Sequence, residues 1–278
     1  SEAIGDSKLE FILKIYSKLA LYYTELDDYD TIEDIIDFYN KNFSLRSTQL
    51  RSTLSRSFVK LLTRVDQCLG IDIMIDVLHT TKELFEKQTM EVIDANFLHT
   101  QLLIIAELLY RDLVDLVGVT HIDEIIKRTL FFQQIRITYV SGANIRDASN
   151  YVIWALSRTT LDIKPDIFMS IFTNLLLCCC FDKELMIRRS STAALQELIG
   201  THGAKTWDDV FPEDQGVVNS AKNVELLQLL DFVELSSVEN SYLKIPSKVL
   251  KIFPSLKDKF TEFLSLNTAE NLDKDLVK

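Results

Sequence analysis

Two runs decide the fold: Asn144-Ile145-Arg146-Asp147-Ala148-Ser149-Asn150-Tyr151-Val152-Ile153-Trp154-Ala155-Leu156-Ser157-Arg158, and, past Lys164-Pro165, Phe181-Asp182-Lys183-Glu184-Leu185-Met186-Ile187-Arg188-Arg189-Ser190-Ser191-Thr192-Ala193-Ala194-Leu195-Gln196-Glu197-Leu198-Ile199-Gly200. Apolar residues recur at Ala148, Tyr151, Val152, Ala155 and Leu156, then at Ile167, Phe168, Ile171, Phe172, Leu175 and Leu176. This is helical spacing, so three helices follow one another through short polar turns. The middle helix is apolar nearly all round and needs neighbours on most sides, which makes it an inner layer of a helical stack.

The rest of the composition agrees. Only 7 Gly and 4 Pro occur in 278 residues, too few for the turns of a sheet protein, while 47% hydrophobic content supplies a substantial core. A net charge of −11 opposes nucleic acid or an anionic membrane as the main ligand, because both are held by Lys and Arg. The longest apolar run, Ile167 to Phe181, is interrupted by Ser170, Thr173 and Asn174 and is too short to span a bilayer. With polar Ser1-Glu2-Ala3 at the start, the expectation is a soluble intracellular chain that is part of a longer one. Cys68 is isolated, and Cys178, Cys179 and Cys180 point about 100° apart on a helix, so reduced packing thiols are expected in place of a metal site.

Upstream, helical spacing runs from Leu9 to Tyr23, from Thr31 to Asn42 with Thr31 as N-cap, and from Ser47 to about Asp66. Further helices are expected over Ile71–Phe85, Asp94–Leu113 and His121–Leu130, with 136–144 as the clearest loop. An acidic block of Glu25, Asp27, Asp28, Asp30, Glu33, Asp34 and Asp37 reads as solvated first-turn carboxylates, or as a contact patch. The third helix carries Arg56, Lys60 and Arg64 four residues apart, a basic stripe on an acidic chain and a candidate partner contact. Residues 204–220 read as an extended connection. Residues 229–253 suit either a helix or a short irregular pair of strands.

Aligning Arg51, Arg146 and Arg188 brings Phe58, Ile153 and Leu195 into register, and then Leu61, Leu156 and Leu198. Arg146 and Arg188 lie 42 positions apart, and Arg51 lies 95 before Arg146. A period of roughly 40 to 47 residues built of paired helices marks HEAT or armadillo arrays. The fold class is therefore all-α, an α-α superhelix of HEAT/armadillo-like helical repeats. The array is assigned to residues 1–203, and 204–278 to a less regular helical extension packed on the last repeats.

The blocks Asn144-Ile145-Arg146-Asp147-Ala148 with Tyr151-Val152-Ile153-Trp154-Ala155, then Phe181-Asp182, Arg188-Arg189, Ala193-Ala194, Gln196-Glu197 and Gly200, resemble the tubulin-folding cofactor D (tubulin-specific chaperone D) family. Weaker echoes are Leu50-Arg51, His99 with Ala106-Glu107-Leu108 and Arg111, and Asp231-Phe232-Val233 with Asn240. The strong match covers about sixty residues, as in a fragment of a divergent fungal-type member. Around His99, Phe97-Leu98 and Thr100 replace the family's flanking aromatic and Gly, and 200–231 carries no family motif.

The resemblance implies a cytoplasmic chaperone that binds β-tubulin, with microtubule association left open. It implies work with folding cofactors C and E and an Arf-like small GTPase in assembling or disassembling the αβ heterodimer. GTP hydrolysis by tubulin is stimulated only as part of that assembly, and no cofactor is implied. A scaffold or transport adaptor for another cargo stays open as the alternative.

From the residues themselves, catalysis has no support. His79, His99, His121 and His202 are scattered, without metal-site spacing, a phosphate loop or a nucleophile elbow. Ile199 to Gly203 reads as a helix C-terminus with Gly200 near C′. The candidate partner-binding residues are Arg51, Arg56, Lys60, Arg64, Arg146, Asp147, Arg188 and Arg189. For Arg146, Asp147, Arg188 and Arg189 the first reading is a tie between adjacent repeats, with partner contact second. His99 is read as a packed core histidine.

Overall fold

The computed structural model describes residues 5–65, 67–113, 116–203 and 219–275. It is helical almost throughout, as the apolar spacing requires. The helices are α1 (Asp6–Glu25), α2 (Tyr29–Asn40), α3 (Thr48–Val65), α4 (Gln67–Lys87), α5 (Ala95–Tyr110), α6 (Leu116–Thr129), α7 (Ala143–Ser157), α8 (Pro165–Phe181) and α9 (Leu185–Leu198), followed by α10 (Asn219–Leu229), α11 (Ile245–Ile252) and α12 (Lys257–Asp275). No helix is long and apolar enough, among the described residues, to cross a membrane.

Packing divides the chain into two compact units, Ser1–Leu161 and Asp162–Lys278. In the first, α1, α3, α5 and α7 stack side by side in chain order, while α4 and α6 pair in a second layer. This alternation is the helical-repeat arrangement that the period implies. Its core runs through Leu13, Leu54, Phe58, Leu98, Leu102 and Ile153, all buried. In the second unit, α8 packs on α9, and Asn240–Lys244 and α12 return to α8. The boundary expected after Gly203 adjoins 204–218, which lie outside the described residues together with the extended connection read there.

Several local readings shift. The N-cap of α2 is Asp28, whose carboxylate accepts from the Thr31 amide (3.2 Å) and hydroxyl (2.7 Å). One member of the acidic block is therefore the cap, and Thr31, expected in that role, sits inside the first turn and donates its own N–H to it. Gly200 does not close α9 in a left-handed C′ conformation: its φ is not positive, and the chain continues as a π-helical turn over Ile199–Gly203. Residues 229–253 are helical, not paired strands, through short turns at Glu234–Ser236 and Asn240–Lys244 and then α11.

The expected loop at 136–144 holds most of a small antiparallel hairpin, β1 (Gln134–Ile135) and β2 (Val140–Ser141). Its base is fixed by Gly142, with φ +127°, where a Cβ would stand 2.6 Å from the Phe132 carbonyl oxygen. Gly142→Ala is therefore expected to lower stability by roughly 1–3 kcal/mol, read by urea unfolding, because an L side chain is strained at that φ.

The end of α8 shows how the irregular segment earns its place. Ser241 Oγ donates to the Cys180 carbonyl (2.7 Å) and Tyr242 OH to that of Phe181 (2.8 Å), satisfying carbonyls that a helix C-terminus leaves unpaired. Cys178, Cys179 and Cys180 are free thiols buried beside them. Burial pushes the Cys179 thiol up to about 12, so it packs as a small apolar group. The Cys68 side chain lies outside the described residues.

Candidate functional site

Three of the candidate arginines are interior. Arg51, Arg146 and Arg188 are each 2% exposed. The Nη1 of Arg51 donates to the carbonyls of Leu45 (2.6 Å) and Arg46 (2.9 Å), and its Nε donates to His99 Nδ1 (3.0 Å) on α5. The Nη1 of Arg188 donates to the carbonyls of Asp182 (2.8 Å) and Lys183 (3.2 Å), and its Nε to that of Leu235 (3.0 Å). The two side chains make one device twice: a fork closes the turn before its own helix while Nε reaches a segment 47 or 48 positions on. Arg146 instead donates from Nη1 to the Phe132 carbonyl (3.0 Å), at the base of the hairpin. These three were also candidates for partner contact. Their side chains are enclosed, and the donors named here are used within the fold.

His99 completes the first device and is the packed histidine that was expected. It is buried on α5, and the loss of hydration together with the neighbouring Arg51 cation pulls its pKa down to about 4. A neutral ring is what the geometry requires, because Nδ1 must carry a lone pair to accept from Arg51.

The exposed candidates Arg56 and Asp147 share a cleft in the α3–α5–α7 layer. With Ser52, Leu103, Glu107 and Tyr151 they line a cleft of about 310 Å³. Glu107 is its hinge point: Tyr151 OH donates to Oε1 (3.1 Å), and the Arg56 guanidinium stands 3.8 Å from the same oxygen. Glu107 is nearly buried while Arg56 is 71% exposed, so the arginine leans over the carboxylate with its outer donors in water. Burial first, then the Glu107 charge, pushes the Tyr151 phenol up to about 12, so it stays a donor.

An aromatic ladder extends this face. Trp154 stacks between Tyr110 and Tyr151 at centroid distances of 5.9 Å each, and the Arg158 guanidinium lies 4.9 Å from the Trp154 ring. At the same helix ends Asp112 accepts from the Thr160 amide and hydroxyl (3.2 and 2.8 Å), holding α5 and α7 in register. Cations and half-exposed aromatics on adjacent helices are the composition of a protein-docking surface. Lys60 and Arg64 continue along α3, both half-buried. Arg189 belongs to the second unit and is half-buried, with an Nε that finds no partner among the described residues.

Sequence reading missed Glu107, Tyr110 and Trp154 as parts of one surface. Their apolar neighbours set the helical period, and nothing in one helix says which residues of the next helix it will face.

A second concavity of about 420 Å³ lies between α4 and α6, walled by Ile71, Met74, Ile75 and Leu78. At its rim Lys82 reaches Glu124 (2.6 Å) and His121 Nδ1 (3.0 Å), and this pair holds the Glu124 carboxyl below the usual range. No hydroxyl or thiol nucleophile lines it among the described residues.

Residues 17–207 match the family described as tubulin-specific chaperone D-like, ARM repeats. The chain is 27% identical over 215 residues to a tubulin-specific chaperone D of Dictyostelium discoideum, covering 76% of this chain and 13% of that protein. It is 25% identical over 242 residues to a tubulin-folding cofactor D of Schizosaccharomyces pombe, covering 81% of this chain and 20% of that one. The chain thus spans a fifth or less of the length of these relatives. No solved structure matches it.

Proposed function

Because the chain belongs to the tubulin-specific chaperone D-like family of ARM repeats, we propose that it is a tubulin-binding segment of a folding cofactor and that it holds β-tubulin on the α3–α5–α7 face. In this role it acts with folding cofactors C and E and an Arf-like small GTPase to assemble or disassemble the αβ heterodimer in the cytoplasm. It turns over nothing itself; any effect on GTP hydrolysis is exerted on tubulin within the larger assembly.

The observation that carries the reading is the family match over 17–207, which contains every helix of that face. The chemistry of the face supports it. A stack of parallel helices offers a broad surface, the Tyr110–Trp154–Tyr151 ladder supplies rigid apolar contact, and Arg56, Lys60, Arg64 and Arg158 suit an acidic client. Asp147, which shares the cleft with Arg56, is a secondary contact of that face, and Arg189 is a separate candidate contact on the second unit.

Reversing the stripe with Arg56→Glu, Lys60→Glu and Arg64→Glu together is expected to weaken binding to purified αβ-tubulin at least tenfold at low salt, with the difference shrinking as salt rises. Circular dichroism is expected to stay unchanged, since the buried residues of α3 are untouched. Equal binding by a normally folded variant would remove the stripe from the interface.

A further inference from the structure

The hairpin between α6 and α7 has no part in the face just described, yet it exposes four large apolar side chains, Ile135, Ile137, Tyr139 and Val140. Its residues Ile135, Arg136, Ile137, Thr138, Tyr139 and Val140 form an exposed run, with Ile137 105% exposed. A short ribbon on a soluble protein ordinarily turns its polar side outward. Here the order is reversed. Gln134 is buried, and its Nε2 donates to the carbonyls of Met90 (2.8 Å) and Ile93 (2.7 Å), so the Gln134 side of the ribbon faces the body. Side chains alternate along a strand, so Ile135 and its cross-strand partner Val140 stand on the outer side.

The backbone is equally open. The Arg136 amide donates to the Tyr139 carbonyl (2.8 Å), which makes 136 and 139 a hydrogen-bonded pair. In an antiparallel ladder the next pair, Ile135 opposite Val140, is then a non-bonded one, with N–H and C=O turned away from the ribbon toward its two free edges. Natural sheets blunt such edges with short strands, charges, Pro or bulges. This ribbon is short and carries Arg136, but it has no Lys, Pro or bulge, and it is held stiff at the base by Gln134, by Gly142 and by the Arg146 bond to Phe132.

We infer that the β1–β2 hairpin is a docking edge on which an extended segment of the client pairs as an added strand. The reading rests on the chain being a tubulin-binding chaperone, and it adds a second contact away from the α3–α5–α7 face. The occupant has defined chemistry: free backbone groups along an unpaired strand, apolar side chains at alternate positions for Ile135 and Val140, and a carboxylate for Arg136. Arg136 is exposed, bonds Gln134 Oε1 (3.1 Å) and makes no ion pair among the described residues. A second copy of this chain does not suit the edge. Two strands of two residues bury far less than the roughly 1,000 Å² that a stable interface needs, whereas a client held elsewhere needs only a short added strand.

The test uses the intact polypeptide carrying this chain and purified αβ-tubulin. Val140→Pro removes an N–H that the hairpin itself does not use, and Val140→Thr keeps that N–H and the branched shape. The expected result is an affinity about tenfold weaker for Val140→Pro, a change within about twofold for Val140→Thr, and a severalfold loss for Arg136→Glu, which leaves the backbone untouched. Amide exchange at Ile135 and Val140 is expected to slow in the complex. Full affinity in both Val140→Pro and Arg136→Glu, or unchanged exchange at the hairpin while α3, α5 and α7 become protected, overturns the docking edge and leaves the proposed function standing. If the wild-type chain does not bind tubulin at all, the proposed function fails first and this inference with it.

Discussion

Replacing Arg51 by Met is expected to lower the stability of the 1–161 unit by about 3–5 kcal/mol, because the carbonyls of Leu45 and Arg46 and the His99 ring lose their donor at once and each buried unsatisfied group costs roughly 1–3 kcal/mol. Met fills most of the vacated volume, so the loss comes mainly from the orphaned acceptors and not from a cavity. Arg188→Met should act alike on the 162–278 unit, where the carbonyls of Asp182, Lys183 and Leu235 are left bare. Lys is no substitute at either place: a single ammonium cannot close the turn and reach the next segment in two directions. Urea unfolding of the variants measures the loss. A change below about 1 kcal/mol would mean that water replaces the fork, and that the two guanidinium groups do not hold the turns.

Acid should loosen the first unit through His99. Its pKa is about 4 in the fold, against about 6.5 for an unfolded chain, so the folded state prefers the neutral ring. The unfolded state therefore binds the proton more readily. This contribution to stability is complete above pH 6.5, falls as pH drops from 6.5 toward 4, and levels off below. A difference of two to three pKa units corresponds to about 3 kcal/mol. Stability curves of wild type and His99→Gln, measured from pH 7 to 4, should diverge in that window, with Gln accepting from Arg51 Nε and adding no titration of its own. Parallel curves would show that another group carries the acid response.

Those two residues also show what one sequence could reveal. The alignment of Arg51 with Arg188 by their apolar companions found a real equivalence, since each closes the turn before its own helix and reaches from Nε to a segment 48 or 47 positions on. The period works because each helix must bury one face, and burial writes itself into spacing. What the period does not carry is direction. It grouped Arg146 with the other two, yet Arg146 turns toward Phe132, because a hairpin, not a short polar turn, precedes its helix. That hairpin was itself legible, in the alternation Ile135-Arg136-Ile137-Thr138, but Ser141-Gly142 drew the whole stretch into a loop.

The candidate site was legible only in part. Arg56 was visible as one of a row of cations, and its partner Glu107 was not, because two residues 51 positions apart meet through packing that no local rule encodes. Tyr110 and Trp154 likewise acquire their stacked arrangement from the way α5 lies on α7. Helix ends were read less well than helix bodies for the same reason: Asp28 and Thr31 are both good caps by composition, and only the backbone geometry chooses between them.

Most of the acceptors gripped by Arg51 and Arg188 are peptide oxygens, at Leu45, Arg46, Asp182, Lys183 and Leu235. Every amino acid supplies that oxygen, so the side chains at these five places are free to drift over generations while the same two grips persist. Lineages can thus rewrite the rest of the turn, including whatever it shows to a visitor, without renegotiating how one repeat clasps the next.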